Sequence, residues 1–563
     1  MTVRDERLFE KLLIPPKKVT FRQGYFQFND LFKTYHDKAI KDSEGYKLKI
    51  LPGGVEIYSA ADAGTYYAIQ TLKDLTALFR NKLPCCIIED WPDFKRRGVY
   101  LDCSRGKVPK LSTLKDLAIR LAHWKINELQ LYIENVFTFK KHPEIGKGYS
   151  PFTPDELLEL QSHCKKHHIR LVGSLASFGH FEKILALLKY RHLGEMPGFR
   201  GFPGGTTLCP VDPVSIKLVG ELYSEFVPLF EAEDFNVCCD ETWELGKGRS
   251  KKLADRIGTG KVYLDFLLKI HRLCQKYGKR MNLWADIVLK YPELLNKLPK
   301  DIVLLNWEYE QNGKNIYRTK ELAKAKLPFM VCPGTSGWLT HGSRLSNSMA
   351  NVMNFAKQGR KFGAEGLLNT DWGDNGHRNF LGVSLHSFAH GAAHSWNGKA
   401  VDNNKFTENF CNHFFRQPSL AKIIKVLGNN YLTCGTNVLN RSWLYFALVE
   451  PVKNIESDSY INLMNEKGLK KIIEQFSDES IWPKLSKTEN FKKTAYEELK
   501  LAGQMDCLAA KRSLALKKKK YPELRQMKKQ IQKMADNFKR LWLLQNKVSR
   551  LNDNLQLFRK ICE

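Results

Sequence analysis

Eight times between about residues 97 and 395, an apolar run of strand length is followed by an amphipathic stretch of helical period. The runs are RGVYLDCS, NELQLYIE, IRLVGSLAS, FNVCCDE, RMNLWAD, IVLLNWEYE, PFMVCPGT and GLLNTDWGD, separated by patterns such as TLKDLAIRLAHWK and KVYLDFLLKIHRLCQKYG. Strands buried on both faces read as continuous apolar segments, and parallel strands need crossover helices between them. Eight such units predict an α/β fold built on a (β/α)8 TIM barrel. An open doubly wound sheet is the competing arrangement, but no Gly-rich dinucleotide loop accompanies the repeats.

The flanks read differently. Short alternating runs (TFRQGYFQF, YKLKIL, GVEIYSA), a turn at Pro52-Gly53-Gly54 and a helix around Tyr66–Phe79 make residues 1–94 a small α/β N-terminal domain. Residues 95–400 form the catalytic barrel, and 401–563 a helical, basic C-terminal region. Within the last part, Ile531, Met534, Phe538, Leu541 and Leu544 recur at helical spacing and are expected on one buried face.

Charge suggests a partner that position takes away. The chain carries 89 Lys+Arg against 60 Asp+Glu, a formal net charge of +29, which invites nucleic-acid binding. In residues 501–563, however, 16 Lys+Arg stand against 5 Asp+Glu, an excess of 11 on an amphipathic pattern that reads as a solvated helix face. No zinc-finger, RNA-binding or phosphate-loop motif accompanies it. The expected partners are therefore a carbohydrate substrate, no nucleic acid and no membrane, with a homodimer compatible with the basic surface. The opening MTVRDERLFEKLLIPPKK is charged where a secretory signal is apolar, no run is long enough to span a bilayer, and the 13 cysteines are scattered and odd in number. A reduced, cytoplasmic setting is the expectation.

In a TIM barrel the functional groups sit at the carboxyl ends of the strands. Here those ends carry Asp102 and Arg105, then Glu134, then Ser177 to His180, then Asp240-Glu241-Thr242-Trp243, then Trp284 and Asp286. Trp307-Glu308-Tyr309, Thr335 with Trp338, and Asp371-Trp372-Gly373-Asp374 with His377 complete the set. Carboxylates hold sugar hydroxyls, indole faces stack on pyranose C–H faces, and paired carboxylates cleave glycosidic bonds. No metal-ligand spacing and no GxSxG elbow stands out, so neither metal nor cofactor is expected. A retaining or inverting glycosidase fits best. The adjacency of Asp240 and Glu241 poses a geometric difficulty, because two carboxylates acting on one bond must flank it. A substrate bringing its own nucleophile, such as a 2-acetamido group, removes the difficulty: one carboxylate then orients the amide while the other protonates the leaving oxygen.

The stretches EDWPDFKRRGVYLDCSRG (89–106), SFGH (177–180), FNVCCDETWELG (235–246) and TDWGDNGH (370–377) resemble glycoside hydrolase family 20, the β-N-acetylhexosaminidases. The resemblance covers roughly residues 40–400 and is strongest to the hexosaminidase D-like branch that lacks a secretion signal. It implies a double-displacement, substrate-assisted reaction on terminal β-linked GlcNAc or GalNAc. Position by position, it implies Glu241 as general acid/base and Asp240 as the group orienting the 2-acetamido function. Arg105 would bind the O3 and O4 hydroxyls, and Trp372 with Asp374 would form the pocket floor and bind O4 or O6. Trp284 and Trp307 would wall the acetamide pocket, with His180 behind the carboxylate pair. Two departures stand out. Strand two ends in Glu134-Asn135 rather than paired aspartates, so Glu134 is expected to bind sugar by analogy. Strand seven reads CPGTSGWLTHG, offering Trp338 where the family has a tyrosine, and Tyr309 of strand six is the candidate replacement. The alternatives are a retaining glycosidase of other specificity with Glu134 or Asp286 as nucleophile, and a non-catalytic glycan or nucleic-acid binder.

Overall fold

The computed structural model describes residues 3–450, 460–486 and 488–561. A five-stranded sheet comes first, in the order β1-β5-β3-β4-β2, from β1 (Lys18–Gln27), β2 (Lys33–His36), β3 (Tyr46–Leu51), β4 (Gly54–Ser59) and β5 (Lys82–Asp90). Burial alternates residue by residue along β3 and β4, as expected of a sheet with one covered face, and the helix Asp62–Phe79 packs against it. The expected helix and the Pro52-Gly53 hairpin are present. Strand β5 was not foreseen: CCIIED looks like a lead-in to the barrel, but it pairs with both β1 and β3.

Eight parallel strands then close into a barrel: β6 (Arg96–Asp102), β7 (Glu128–Tyr132), β8 (Arg170–Ser174), β9 (Asp234–Asn236), β10 (Arg280–Trp284), β11 (Val303–Trp307), β12 (Phe329–Cys332) and β13 (Gly366–Asp371). Six lie inside one of the eight apolar runs, and β6 and β9 each begin one residue before theirs. All seven residues of β6 and all five of β7 are buried, as in strands covered on both faces, and the polar groups among them, Arg96 and Glu128, are paired. Charge at the amino end of the barrel is structural. Arg96 donates to Glu128 at 2.9 Å, to Asp234 at 3.0 Å and to Asn282 at 3.2 Å, and Arg170 reaches Glu128 at 2.8 Å. Burial would raise the Glu128 carboxyl, but the two guanidiniums hold it down at about 2. This network plugs the end of the barrel opposite the candidate site.

Beyond the last barrel helix, Leu381–Asn397, the described chain is helical, and it folds back onto the face at the carboxyl ends of the barrel strands. The helix Lys528–Gln545 buries Ile531, Met534, Phe538 and Leu541 as expected. Leu544 corrects the expectation: it is 49 % exposed, and Gln545 takes the inward place. The reason is the helical period: at about 100° per residue Gln545 falls at the centre of the Met534, Phe538 and Leu541 face and Leu544 about 100° to one side of it, and the Gln545 carbonyl accepts from Lys110 N–H at 2.9 Å and from Thr113 Oγ1 at 2.7 Å. Lys547 N–H then donates to Val108 O at 2.8 Å, Arg550 N–H to Gly106 O at 3.1 Å, and Asn554 Nδ2 to Gly376 O at 2.7 Å. The tail thus straps down the loops that follow β6 and β13. Lys518, Lys519, Lys520, Lys528 and Lys529 are exposed, in keeping with a solvated basic face. Twelve cysteines are buried free thiols, and Cys562 lies outside the described residues. Among the described residues, no helix is long and apolar enough to cross a membrane.

Candidate active site

The loop after β9 determines how the two central carboxylates point. Successive side chains on an extended strand face opposite ways, so Asp240 and Glu241 could not share a target if the strand simply continued. Instead Cys238, Cys239 and Glu241 adopt left-handed backbone angles, with φ of 60°, 62° and 50°. Each such residue costs on the order of 1 kcal/mol or more, a strain that clusters at functional sites. The twist turns both carboxylates onto one imidazole: His180 Nε2 lies 3.3 Å from Asp240 Oδ2 and 3.4 Å from Glu241 Oε2. His180 reaches them because Gly179 carries no side chain; a Cβ there would lie 2.1 Å from the Asp240 carbonyl oxygen. Burial alone would drive the imidazole neutral, but Asp240 and Glu241 hold it well above its ordinary value. Asp240 Oδ1 is buried and without a hydrogen-bond partner among the described residues.

Asp286, at the end of β10, accepts the Glu241 N–H at 3.2 Å. Burial, with the neighbouring Asp240 carboxylate, pushes its carboxyl up to about 7. Asp286 is therefore a backbone anchor for Glu241.

Arg105 crosses the opposite wall. Asp102 accepts its Nη1 at 3.0 Å and also accepts Gly373 N–H at 2.9 Å, tying the ends of β6 and β13 together. Glu134 and Asp374 stand 3.7 and 3.5 Å from the same guanidinium, which lies over the Tyr132 ring at 4.8 Å and the Trp372 ring at 5.0 Å. Lys183 Nζ donates to Glu134 Oε2. Burial would raise the Glu134 carboxyl, but Lys183, Arg105 and His180 hold it down at about 2.

Aromatic rings complete the enclosure. Trp284, 1 % exposed, meets Tyr100 edge to face at 5.1 Å and Trp372 at 6.0 Å, and its Nε1 lacks a partner among the described residues. Trp372 Nε1 donates to Tyr309 Oη at 2.8 Å, and half-buried Trp307 stacks on the Tyr309 ring at 5.1 Å. Trp338 is buried and packs edge-on to Tyr309 at 5.0 Å. Tyr309 thus brings a phenol from β11 into the ring wall.

Asp240, Glu241, His180, Arg105, Glu134, Trp284, Trp307, Tyr309, Trp338, Trp372 and Asp374 are gathered in one contiguous set of contacts. Two other strand-end groups turn away. Asp371 accepts Thr335 Oγ1 at 2.5 Å and Ser384 Oγ at 2.7 Å in the core, its carboxyl pushed up to about 6 by burial. His377 is buried against Gly373, where a Cβ would lie 2.1 Å from its Nδ1. Tyr132, Lys183 and the anchoring roles of Asp102 and Asp286 were missed in the sequence. Tyr132 was findable, since it stands two residues before Glu134; Lys183, in the helix after SFGH, carries no such signal. The ligand atoms of His180, Asp240 and Glu241 lie close enough to clasp a cation, as do those of Glu134, His180 and Glu182. In the structure the His180 imidazole lies within hydrogen-bond or ion-pair reach of the Asp240 and Glu241 carboxylates. Asp74, His123 and His413 form a third such group, where the sheet domain, barrel and helical region meet.

Comparison with known proteins agrees with this arrangement. Residues 94–389, just over half of the chain, match the family model for the glycosyl hydrolase family 20 catalytic domain, and residues 11–91 match that family's domain 2. Human hexosaminidase D is 24% identical over 212 residues, covering 37% of this chain and 41% of that protein. The β-hexosaminidase of Akkermansia muciniphila is 22% identical over 232 residues, 36% of this chain and 47% of its own length. The chain thus matches less than half the length of these curated relatives. Among solved structures, the β-N-acetylhexosaminidase of Bacteroides fragilis superposes with a TM-score of 0.60 at 17% identity, over 72% of this chain and 96% of that one. The exo-β-N-acetylglucosaminidase of Vibrio harveyi, in complex with N-acetylglucosamine, gives 0.58 at 17% identity, over 75% and 78%. At that identity these two establish the fold.

Proposed function

The chain belongs to glycosyl hydrolase family 20, and from that premise we propose that it is an exo-acting β-N-acetylhexosaminidase that removes terminal β-linked GlcNAc or GalNAc with retention of configuration. One observation carries the reading: two adjacent carboxylates share a single imidazolium, and the inner one keeps a buried oxygen, Asp240 Oδ1, without a partner among the described residues. An acetamide N–H is the donor that oxygen suits.

In this reading Arg105 and Asp374 hold the hydroxyls of the terminal sugar, and the rings of Trp284, Trp372 and Tyr309 enclose its acetamido group. Asp240 accepts the acetamide N–H and turns the carbonyl oxygen toward the anomeric carbon. Protonated Glu241 gives its proton to the glycosidic oxygen as that C–O bond breaks. The acetamide oxygen forms the new bond to the anomeric carbon, and Asp240 offsets the charge of the resulting oxazolinium ring. Glu241, now a carboxylate, takes a proton from water as that water opens the ring from the face the aglycone left. Two inversions give retention. An enzyme nucleophile has less support. Glu134 is engaged by Lys183 and Arg105, and Asp286 by the backbone of Glu241. The buried free thiols suit a reducing, cytoplasmic setting.

The test is a panel of aryl β-glycosides (GlcNAc, GalNAc, Glc and Gal) assayed with the wild type and Glu241→Gln. Loss of the general acid should lower kcat for the N-acetylhexosaminides by about 10²–10⁴-fold, and a thiazoline analogue of the cyclised intermediate should inhibit. Unchanged turnover by Glu241→Gln, or equal cleavage of glucosides, overturns the assignment.

A further inference from the structure

A glycosidase must also hold the group that leaves with the acid's proton, and none of the residues above does so. On the Glu241 side of the site stands Trp243. Its N–H donates to Glu241 O at 2.8 Å, its ring lies 6.5 Å from that of His180, and it is partly open to solvent. The Arg200 guanidinium sits over this indole at 4.1 Å from the ring centre, with Phe199 at 5.3 Å on its flank. The Arg200 guanidinium is therefore no farther from the His180 ring than the 6.5 Å and 4.1 Å separations, each measured to the Trp243 indole, laid end to end.

The ledge is rigid. Trp243 and Arg200 come from separate loops, after β9 and β8, that two wholly buried glutamates lace together. Glu244 accepts the N–H groups of Thr206 and Thr207, both at 2.8 Å, and Glu195 accepts Ser250 Oγ at 2.6 Å and Gly248 N–H at 3.2 Å. Arg200 itself has φ of 51° between Gly198 at 84° and Gly201 at 83°. A third glycine would sit there without strain, yet the turn holds an exposed arginine in a left-handed conformation. Arg105 is matched by Asp102, Glu134 and Asp374, whereas no carboxylate among the described residues pairs with Arg200. A guanidinium braced by two rings and lacking a counter-anion suits planar, two-pronged recognition of a carboxylate or sulfate. The adjoining indole offers a stacking surface for the sugar that carries it.

Resting on the hexosaminidase reading, we propose that Trp243 and Arg200 form an aglycone subsite that selects substrates whose leaving sugar is anionic, bearing a uronate carboxylate or a sulfate. The terminal N-acetylhexosamine enters the pocket, and the charged neighbour lies on the ledge.

The experiment compares kcat/KM for three disaccharides: GlcNAc β-linked to glucose, to glucuronic acid and to a sulfated glucose. It uses the wild type, Arg200→Gln and Arg200→Glu. A charge-assisted contact at a partly exposed site should favour the anionic partners by about tenfold. That preference should shrink as salt rises, fall to near parity in Arg200→Gln, and reverse toward the neutral disaccharide in Arg200→Glu. Preference for the uronate alone or the sulfate alone identifies the source of the anion and supports the subsite. Equal rates on all three with the wild type, or a preference that survives charge reversal, overturns the proposal. Failure of the wild type to cleave even the glucose-linked disaccharide and an aryl N-acetylglucosaminide overturns the underlying reading instead.

Discussion

Replacing Tyr309 by phenylalanine removes one oxygen atom from the ring wall, and its consequences can be worked from two contacts. Tyr309 Oη accepts the Trp372 indole N–H at 2.8 Å. That bond uses one lone pair, and the Thr370 hydroxyl stands within hydrogen-bond reach of the same oxygen; in the proposed reaction the phenolic proton turns to the substrate carbonyl. In the phenylalanine variant the buried Trp372 N–H loses its acceptor, at a cost of about 1–3 kcal/mol. The acetamide oxygen loses a donor that strengthens as charge builds on the cyclising group. A loss of about 2 kcal/mol of transition-state stabilisation lowers kcat/KM roughly thirtyfold. The assay is kcat/KM for a matched aryl N-acetyl-β-glucosaminide and aryl β-glucoside, because the second contact exists only for the first substrate. The N-acetyl substrate should suffer by that factor, and the glucoside background should change much less. A thermal melt should accompany it, since an orphaned indole also destabilises the fold. Twofold or smaller change in kcat/KM with a lowered melting temperature would mean that the hydroxyl only braces Trp372. No change in either would refute the geometry assigned to both rings.

Two further outcomes follow from the packing. Gly179→Ala places a methyl group 2.1 Å from the Asp240 carbonyl oxygen, so the loop bearing His180 must move. Activity should fall by at least a hundredfold with the barrel's circular dichroism retained, and near-wild-type kcat would contradict the close approach. Asp371 titrates at about 6 in the fold against an ordinary 3.8, so between those values the native state binds more protons than the unfolded chain and stability falls as pH rises. The shift corresponds to about 3 kcal/mol fully developed by pH 7. Asp371→Asn, which can still accept from Thr335 and Ser384, should lose that part of the decline between pH 4 and 6.5 in denaturant melts; an unaltered slope would show that Asp371 is not its source.

What could be read from the chain beforehand follows its physics. The eight barrel strands were legible because burial on both faces leaves largely apolar runs; six strands fall within one, and β6 and β9 begin one residue earlier. Strand β5 was lost because CCIIED sits beside the barrel's first run and its partners are distant in sequence. Asp240 and Glu241 were legible as a pair, but not how one imidazole could serve both. That depends on left-handed turns at Cys238, Cys239 and Glu241, none of which is a glycine that would mark them. The helix Lys528–Gln545 shows the same limit in another form. The 3.6-residue period puts Gln545 on the face of Phe538 and Leu541 and leaves Leu544 outside, so apolar character favours Leu544 where the period points to its polar neighbour. Charge is the clearest case. A total of +29 is a sum over the whole surface, and it decides nothing about a substrate, because exposed tail lysines interact mainly with water and salt. A single guanidinium fixed over Trp243, two residues along the chain from Glu241 and with no carboxylate pairing it among the described residues, is a local charge of a different kind. If the basic character of this chain bears on its substrate, Arg200 is where it does so, and charge reversal at that one position separates the local effect from the total.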